Sequence, residues 1–353
     1  MGELVKEINI KTDKPYKILI GKNLIQYSGD FIKKFSLAKQ VLIVSDNNVN
    51  DLYFDVVCKS LITAGFNVFS FVFDSGEHSK NLKTVEEIYL KLIDNQFTRS
   101  DLIIALGGGV VGDIAGFAAS TYMRGIDFIQ IPTTLLSQID SSIGGKTAVN
   151  LAKGKNLVGS FYQPRLVIID TNTLRTLPDI NISDGISEAI KYGLIKSEGL
   201  FKKIKNYEFN DIVEDLIIEC INIKKEIIEQ DEFEQGNRKL LNFGHTLGHA
   251  IETLYNYKKY SHGQAVAIGM AYVVKSCEKL SICSKQIYND LIFTLKKYNL
   301  PYKVDCNIDN LIAIAQTDKK ATNDYLDIIL ISDIGKSFIK RISKNDLKKY
   351  IGG

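Results

Sequence analysis

Between Leu102 and Ser120 the chain reads LIIALGGGVVGDIAGFAAS, and this run limits the possible folds more than any other. The apolar stretch LIIAL suits a strand buried on both faces, the glycines suit a tight turn, and the Ala- and Gly-rich remainder suits a helix packed closely on that strand. Gly107, Gly109 and Gly112 satisfy G-x-G-x-x-G with a strand before and a helix after, the context that gives the pattern meaning. Bare N–H groups at the start of such a helix can approach a pyrophosphate at its positive end. A glycine turn needed only for packing has the same appearance, and this one follows several strands, whereas an ordinary dinucleotide fold opens with it. The rule of an acidic ribose partner about 20 positions on selects Asp127. Asp127 opens the next strand-like run, however, and acidic residues upstream compete with it.

The surrounding sequence extends this strand–helix reading. YKILI, QVLIVSD, FNVFSFVF, DFIQIPTT and RLVIID are short β-branched runs separated by amphipathic stretches such as LKTVEEIYLKLIDN. After Pro178 the pattern changes to apolar residues at three- and four-residue spacing, as in DIVEDLIIECINIKKEIIEQ and QAVAIGMAYVVKSCEKL. One more strand-like run, LDIILISDIG, comes near the end. The expected fold class is α/β: an N-terminal Rossmann-like parallel-sheet domain over residues 1–178, then a mainly α-helical C-terminal domain over 179–353. A chain of 353 residues suits two domains of about 150 residues each. A small-molecule site is expected where two such halves meet.

Composition narrows the partners. With 45% apolar and 24% charged residues the chain is a globular protein, and a net charge of only +3 argues against nucleic acid as its main partner. No apolar run approaches the ~18 residues of a membrane span, and Glu3, Lys6 and Glu7 fall where a signal peptide would be apolar. Cys58, Cys220, Cys277, Cys283 and Cys306 form no CxxC pair, so free thiols in a reducing cytoplasm are expected.

Two further segments carry chemistry. Gly145-Lys146-Thr147 ends like a phosphate-binding Walker loop, but the position that should hold its first glycine is Asp140, whose carboxylate would repel phosphates. Asp140 therefore argues against an NTPase, while Lys146 in a Gly-rich turn still suits an anion, with Thr133, Thr134, Lys153, Lys155 and Asn156 as nearby donors. Of the four histidines, His245, His249 and His262 fall close together. His245 and His249 are four apart and share a helix face, a spacing that can hold a divalent metal, and His262 can fold back beside them. A catalytic zinc takes three protein ligands and keeps a position open. A carboxylate is a common third ligand, and Glu188 in SEAIKYG, with Lys191 one turn later, is the best candidate. Spacing does not choose it over Glu252.

GGGVVGD, STYMRG, IPTTLLSQIDSSIGGKTAVN, GKNLVGSFYQP, SEAIKYG, NFGHTLGHAIE and HGQAVAIGM occur in that order, and together they resemble the 3-dehydroquinate synthase family over nearly the whole chain. The resemblance implies a homodimeric cytoplasmic enzyme that uses NAD and a divalent metal, zinc or cobalt. Its substrate would be a sugar phosphate, 3-deoxy-D-arabino-heptulosonate 7-phosphate, which it would convert to 3-dehydroquinate and phosphate. Carried over residue by residue, the metal ligands fall on Glu188, His245 and His262, which makes His249 a catalytic neighbour. Catalytic and substrate positions fall on Asp140, Lys146, Asn156, Lys191, Lys224, Arg238 and Asn242, joined by Lys319 or Lys320. NAD positions fall on Asp46, Asn48, Glu77, Lys80, Gly108, Gly109, Asp113, Thr133, Thr134 and Thr176, with Lys155 counted beside them. Asp46, at the end of an earlier strand, replaces Asp127 as the ribose candidate.

The family often has Glu where Gln264 stands and Gly where Ala148 stands; a lost charge next to His262 would bear on metal affinity. The implied reaction oxidises a ring hydroxyl with NAD, eliminates phosphate, reduces the ketone with the same NADH and closes a carbocycle by aldol attack. Rival readings are a cyclase making another ring, a polyol dehydrogenase that releases NADH, and a binding protein that has lost catalysis. The last would be expected to lack at least one ligand or lysine, and none is missing.

Overall fold

The computed structural model describes residues 5–316 and 324–353, and its contacts divide the chain into two compact units, Met1–Leu177 and Pro178–Gly353. The first unit contains β1 (Lys6–Ile10), β2 (Tyr16–Gly21), α1 (Ser28–Lys33), β3 (Gln40–Asp46), α2 (Asn47–Thr63), β4 (Asn67–Phe73), α3 (Leu82–Asp94) and β5 (Leu102–Gly107). It continues with α4 (Gly109–Thr121), β6 (Asp127–Pro132), β7 (Lys146–Leu151), β8 (Gly154–Phe161) and β9 (Leu166–Asp170). Seven strands form one sheet in the order β1-β2-β9-β6-β5-β3-β4, parallel except for the β1–β2 edge pair.

Alternation of side chains explains the uninterrupted apolar runs. Leu42 and Val44 of β3 with Ile103 and Ala105 of β5 face a core under α3 and α4. Val41, Ile43, Leu102, Ile104 and Leu106 face the opposite core under α1 and α2. A strand with helices on both faces has no polar side to show. The crossover from β3 passes outward to β4, while β5 lies on the other side of β3, so the order reverses there. The carboxyl ends of β3 and β5 flank that reversal, the place where open α/β sheets take their ligands.

Two differences from the sequence reading concern short strands. β1 was hidden by its charged residues, which an edge strand tolerates because its outer side faces water. Lys146, Lys155 and Asn156 lie on the antiparallel β7–β8 hairpin and not in a turn and loop, since TAVNL alternates its burial as a strand does.

The second unit holds α5 (Asp179–Lys196), α6 (Glu198–Asn206), α7 (Phe209–Gln230), α8 (His245–Leu254), α9 (His262–Lys279), α10 (Lys285–Lys297) and α11 (Ile308–Gln316). Strands β10 (Tyr325–Asp333) and β11 (Lys336–Ser343) pair as a hairpin before α12 (Leu347–Ile351). The lysine-rich β11 was not legible as a strand; its partner supplies the apolar face. No described helix is long and apolar enough to cross a membrane.

Candidate active site

In the first unit, Gly107 closes β5, Gly108 caps α4 and Gly109 opens it, as the glycine motif implies. A Cβ on Gly108 would sit 3.1 Å from Thr134 Cγ2, and one on Gly112 would lie 2.7 Å from Gln130 Oε1, so both glycines permit close packing of the turn and helix. Thr133 donates its N–H to the Gly107 carbonyl at 3.0 Å, and its buried hydroxyl has no hydrogen-bond partner among the described residues. Asp46 ends β3 beside this turn and caps α2 by accepting the Val49 N–H at 3.0 Å. Burial raises its carboxyl above the ordinary value against the pull of the Val49 and Asn48 N–H groups. Asn48 donates to Ser75 Oγ at 3.0 Å, and Thr176 shares a short hydrogen bond with the Tyr53 hydroxyl. Asp127 begins β6 opposite Leu102, whereas Gly107 pairs with Pro132 at the other end, and five residues of strand span roughly 17 Å. That separation excludes Asp127 from the glycine turn.

A polar cluster completes this unit's set. Lys80 is buried and donates to Asp113 Oδ2 at 2.5 Å and to Asn156 Oδ1 at 2.6 Å. Glu77 lies 3.5 Å from Lys155 Nζ and accepts from Asn150 at 2.8 Å. Burial raises the Asp113 carboxyl despite Lys80, with Glu77 and Asp140 adding to the rise. Burial pushes Glu77 up too, but Lys80, Lys155 and the Asn150 hydrogen bond outweigh it and hold Glu77 low. Asp140 lies in a single π-helical turn, and Lys146 begins β7 exposed to water. Asn150, which also accepts the Asn156 N–H at 2.9 Å, was not singled out by the sequence reading.

In the second unit, α5 presents Glu188 and, one turn later, Lys191, both buried and paired with each other. His245 opens α8 and His262 opens α9. His245 Nε2 lies 3.5 Å and His262 Nε2 3.8 Å from Glu188 Oε1, and one donor atom from each of the three residues falls within 4.8 Å of the others. Apart from the Lys191 ammonium at Oε2, neither Glu188 oxygen has a hydrogen-bond partner among the described residues. A buried carboxylate whose Oε1 has no donor among these residues and faces two imidazole nitrogens is the environment a divalent cation would satisfy. His245 Nδ1 faces the Phe243 carbonyl at 3.1 Å, which leaves Nε2 as the lone-pair nitrogen. Burial, followed by the charges of Lys191, His262 and His249, holds the His245 imidazole well below its ordinary value, hence neutral and able to ligate.

Glycines bring these helices together. Gly244 precedes His245 with φ of 78°, and a Cβ on Gly269 of α9 would stand 2.0 Å from the Gly244 carbonyl oxygen. A Cβ on Gly263 would meet Asp184 Cα of α5 at 2.4 Å. Backbones can approach this closely only where no side chain intervenes. Ser261 caps α9 in a reciprocal box with Gln264, whose Oε1 accepts the Ser261 N–H at 3.2 Å. Glutamine performs this as well as glutamate. Ser261, which the S-x-x-Q signature could have singled out, also donates its Oγ hydrogen to Asp184 Oδ1 at 2.5 Å. His249 stands one turn after His245, with ring centroids 5.5 Å apart, and 6.3 Å from His262.

Lys224 and Arg238 are buried, and Asn242 donates to Glu234 at 2.6 Å. The turn that carries Arg238 is organised by Asp231, which the sequence reading passed over. Its carboxylate accepts the N–H groups of Gln235, Gly236 and Arg238 at 2.9, 2.7 and 2.9 Å. Lys319 and Lys320 lie outside the described residues.

A doubly wound unit with a strand–glycine–helix turn, followed by a helical unit in which two part-buried histidines converge on a buried glutamate, defines the class: an α/β nucleotide-fold chain joined to a metal-ligating helical one. Family models for the 3-dehydroquinate synthase N-terminal and C-terminal regions match residues 70–184 and 185–321. 3-Dehydroquinate synthase of Clostridium botulinum is 48% identical over 96% of this chain and 98% of that protein. The Clostridium perfringens enzyme of the same name is 50% identical over 95% and 97%. A crystal structure of 2-deoxy-scyllo-inosose synthase, complexed with carbaglucose-6-phosphate, NAD+ and Co2+, matches with a TM-score of 0.86 and 28% identity over 98% and 99% of the two chains. The chain belongs to the 3-dehydroquinate synthase family.

Proposed function

We propose that this protein is a 3-dehydroquinate synthase of the shikimate pathway, converting 3-deoxy-D-arabino-heptulosonate 7-phosphate to 3-dehydroquinate and phosphate. The observation that carries the reading is the triad of Glu188, His245 and His262, with Lys191 buried against it. The NAD+, Co2+ and sugar-phosphate analogue of the inosose synthase complex support the same cofactors and substrate class here. The reading carries with it a homodimer in the cytoplasm, as the sequence resemblance implies.

When bound, NAD would accept and return a hydride, and the dication would polarise the hydroxyl undergoing oxidation. The remaining work belongs to the chain. Residues 1–178 would bind NAD, with Asp46 toward the ribose, Gly108 and Gly109 along the pyrophosphate, and Asn48, Glu77, Lys80, Asp113, Thr133, Thr134, Lys155 and Thr176 as further contacts. Residues 179–353 would hold the metal. Lys191, Lys224 and Arg238 would supply cationic partners for a carboxylate and a phosphate, Arg238 by a two-pronged grip. Asn242, Asp140, Lys146 and Asn156 would orient hydroxyl and oxyanion groups. The departing phosphate can itself accept the proton in the elimination, so the chain needs to position it more than to supply a strong base. His249, beside both ligand histidines, would move a proton near neutral pH.

The test is turnover with the heptulosonate phosphate, NAD and zinc or cobalt. One phosphate released per dehydroquinate formed, with no net NADH, is the expected result. Accumulating NADH would assign a dehydrogenase instead, and a different carbocycle would assign another cyclase.

A further inference from the structure

The two ligand histidines are held from behind in different ways. His245 Nδ1 faces a backbone carbonyl, whereas His262 Nδ1 faces a carboxylate, Glu252 Oε1, at 3.5 Å. Glu252 lies on α8 seven residues after His245, two turns along the same helix face, and is only 5% exposed. It is not part of the triad. Its oxygen meets the nitrogen of His262 that points away from Glu188, while Nε2 of the same ring points toward Glu188 Oε1. A buried carboxylate placed behind an imidazole in this way fixes the ring's rotation and keeps the proton on Nδ1, so that the Nε2 lone pair is free. It also makes that nitrogen a stronger donor to a cation.

We propose that Glu252 is the positioning residue of the metal centre, acting through His262 and not as a ligand. The inference rests on the metal reading of the triad. α8 thereby supplies one ligand directly, through His245, and orients the ligand that begins α9, so the two helices define a single donor geometry.

The test compares full-length wild type with Glu252→Gln after chelator stripping. Zn2+ affinity is measured by competition with a chromogenic chelator, the Co2+ complex by its visible absorption, and the metal-free protein by its melting temperature. Glu252→Gln should leave the metal-free melting temperature within a few degrees, weaken Zn2+ binding about 10- to 100-fold and alter the Co2+ bands. Glu252→Asp, which keeps the charge but withdraws it, should also alter the bands, and it carries the test if Glu252→Gln does not fold. Wild-type affinity and spectrum in the variants would overturn the inference, as would a loss of metal-free stability with an unchanged spectrum. Failure of the wild type itself to bind either ion would overturn the metal reading first, and this is visible before any variant is compared.

Discussion

Lys191 and Glu188, one turn apart on α5, form an ion pair whose side chains are 2% and 1% exposed. Each charge is out of water and depends on the other. Replacing Lys191 by methionine should destabilise the metal-free protein by about 3–5 kcal/mol, because the carboxylate is left buried without its cation. A dication at Glu188 would supply that charge again, so zinc should raise the melting temperature of Lys191→Met more than that of wild type. Equal metal-free melting temperatures for the two proteins would show that the pair does not contribute in this way.

His245 and His262 should give opposite dependences of stability on pH. His245 is held low by burial and by neighbouring cations, so it stays neutral in the fold while the unfolded chain takes up a proton below about 6.5. Its contribution is whole above that pH and declines on acidification toward the folded-state value. His262 is raised: burial lowers it, but the hydrogen bond and charge of Glu252 and then Glu188 outweigh burial. Its contribution is whole below about 6.5 and is lost as pH rises through the folded-state value. Metal-free wild type should therefore lose stability relative to His245→Asn between pH 7 and 5, by at most about 1.4 kcal/mol per pH unit. Urea unfolding at three pH values measures the difference, and a constant gap would refute it.

Gly269→Ala tests how packing sets the metal site. The added methyl would fall 2.0 Å from the Gly244 carbonyl, so α8 must move, and His245 moves with it. A cost of about 1–3 kcal/mol is expected from such overpacking, together with weaker metal binding although no ligand is altered. Denaturant midpoints and Zn2+ competition measure the two effects; unaltered affinity would show that the helix contact does not define the donor geometry.

Asp231→Asn should loosen the turn that carries Arg238. Burial pushes the Asp231 carboxyl up, but three N–H groups and the Arg238 charge hold it below its ordinary value. Its stabilisation is present above about pH 3.9 and lost as pH falls through the lower folded-state value. At pH 7 the variant should lose about 1–2 kcal/mol, and the difference should shrink below pH 4. Under the proposed activity KM should rise more than kcat falls. A stability difference independent of pH would rule out the carboxylate's part.

Local pattern carried much of this protein. The apolar run before Gly107, the small residues after it and the three- and four-residue stripes beyond Pro178 determine which segments are strands and helices, because each element's period reports the face it buries. His245 and His249 were assigned to one helix face on the same grounds. Edge and hairpin strands escaped, since β1, β7, β8 and β11 draw their stability from a partner strand more than from their own composition.

Distances between segments were decided only by tertiary structure. Spacing left Glu188 and Glu252 as equal partners for the histidines; the packing of α5, α8 and α9 puts Glu188 in front of His262 Nε2 and Glu252 behind Nδ1. Spacing also offered Asp127 to the glycine turn, and the parallel register sends it to the far end of the sheet. A sequence states the period and polarity of each element. Which residues meet depends on how closely two backbones can approach, and here glycines at 244, 263 and 269 set that approach through atoms that lie far apart along the chain.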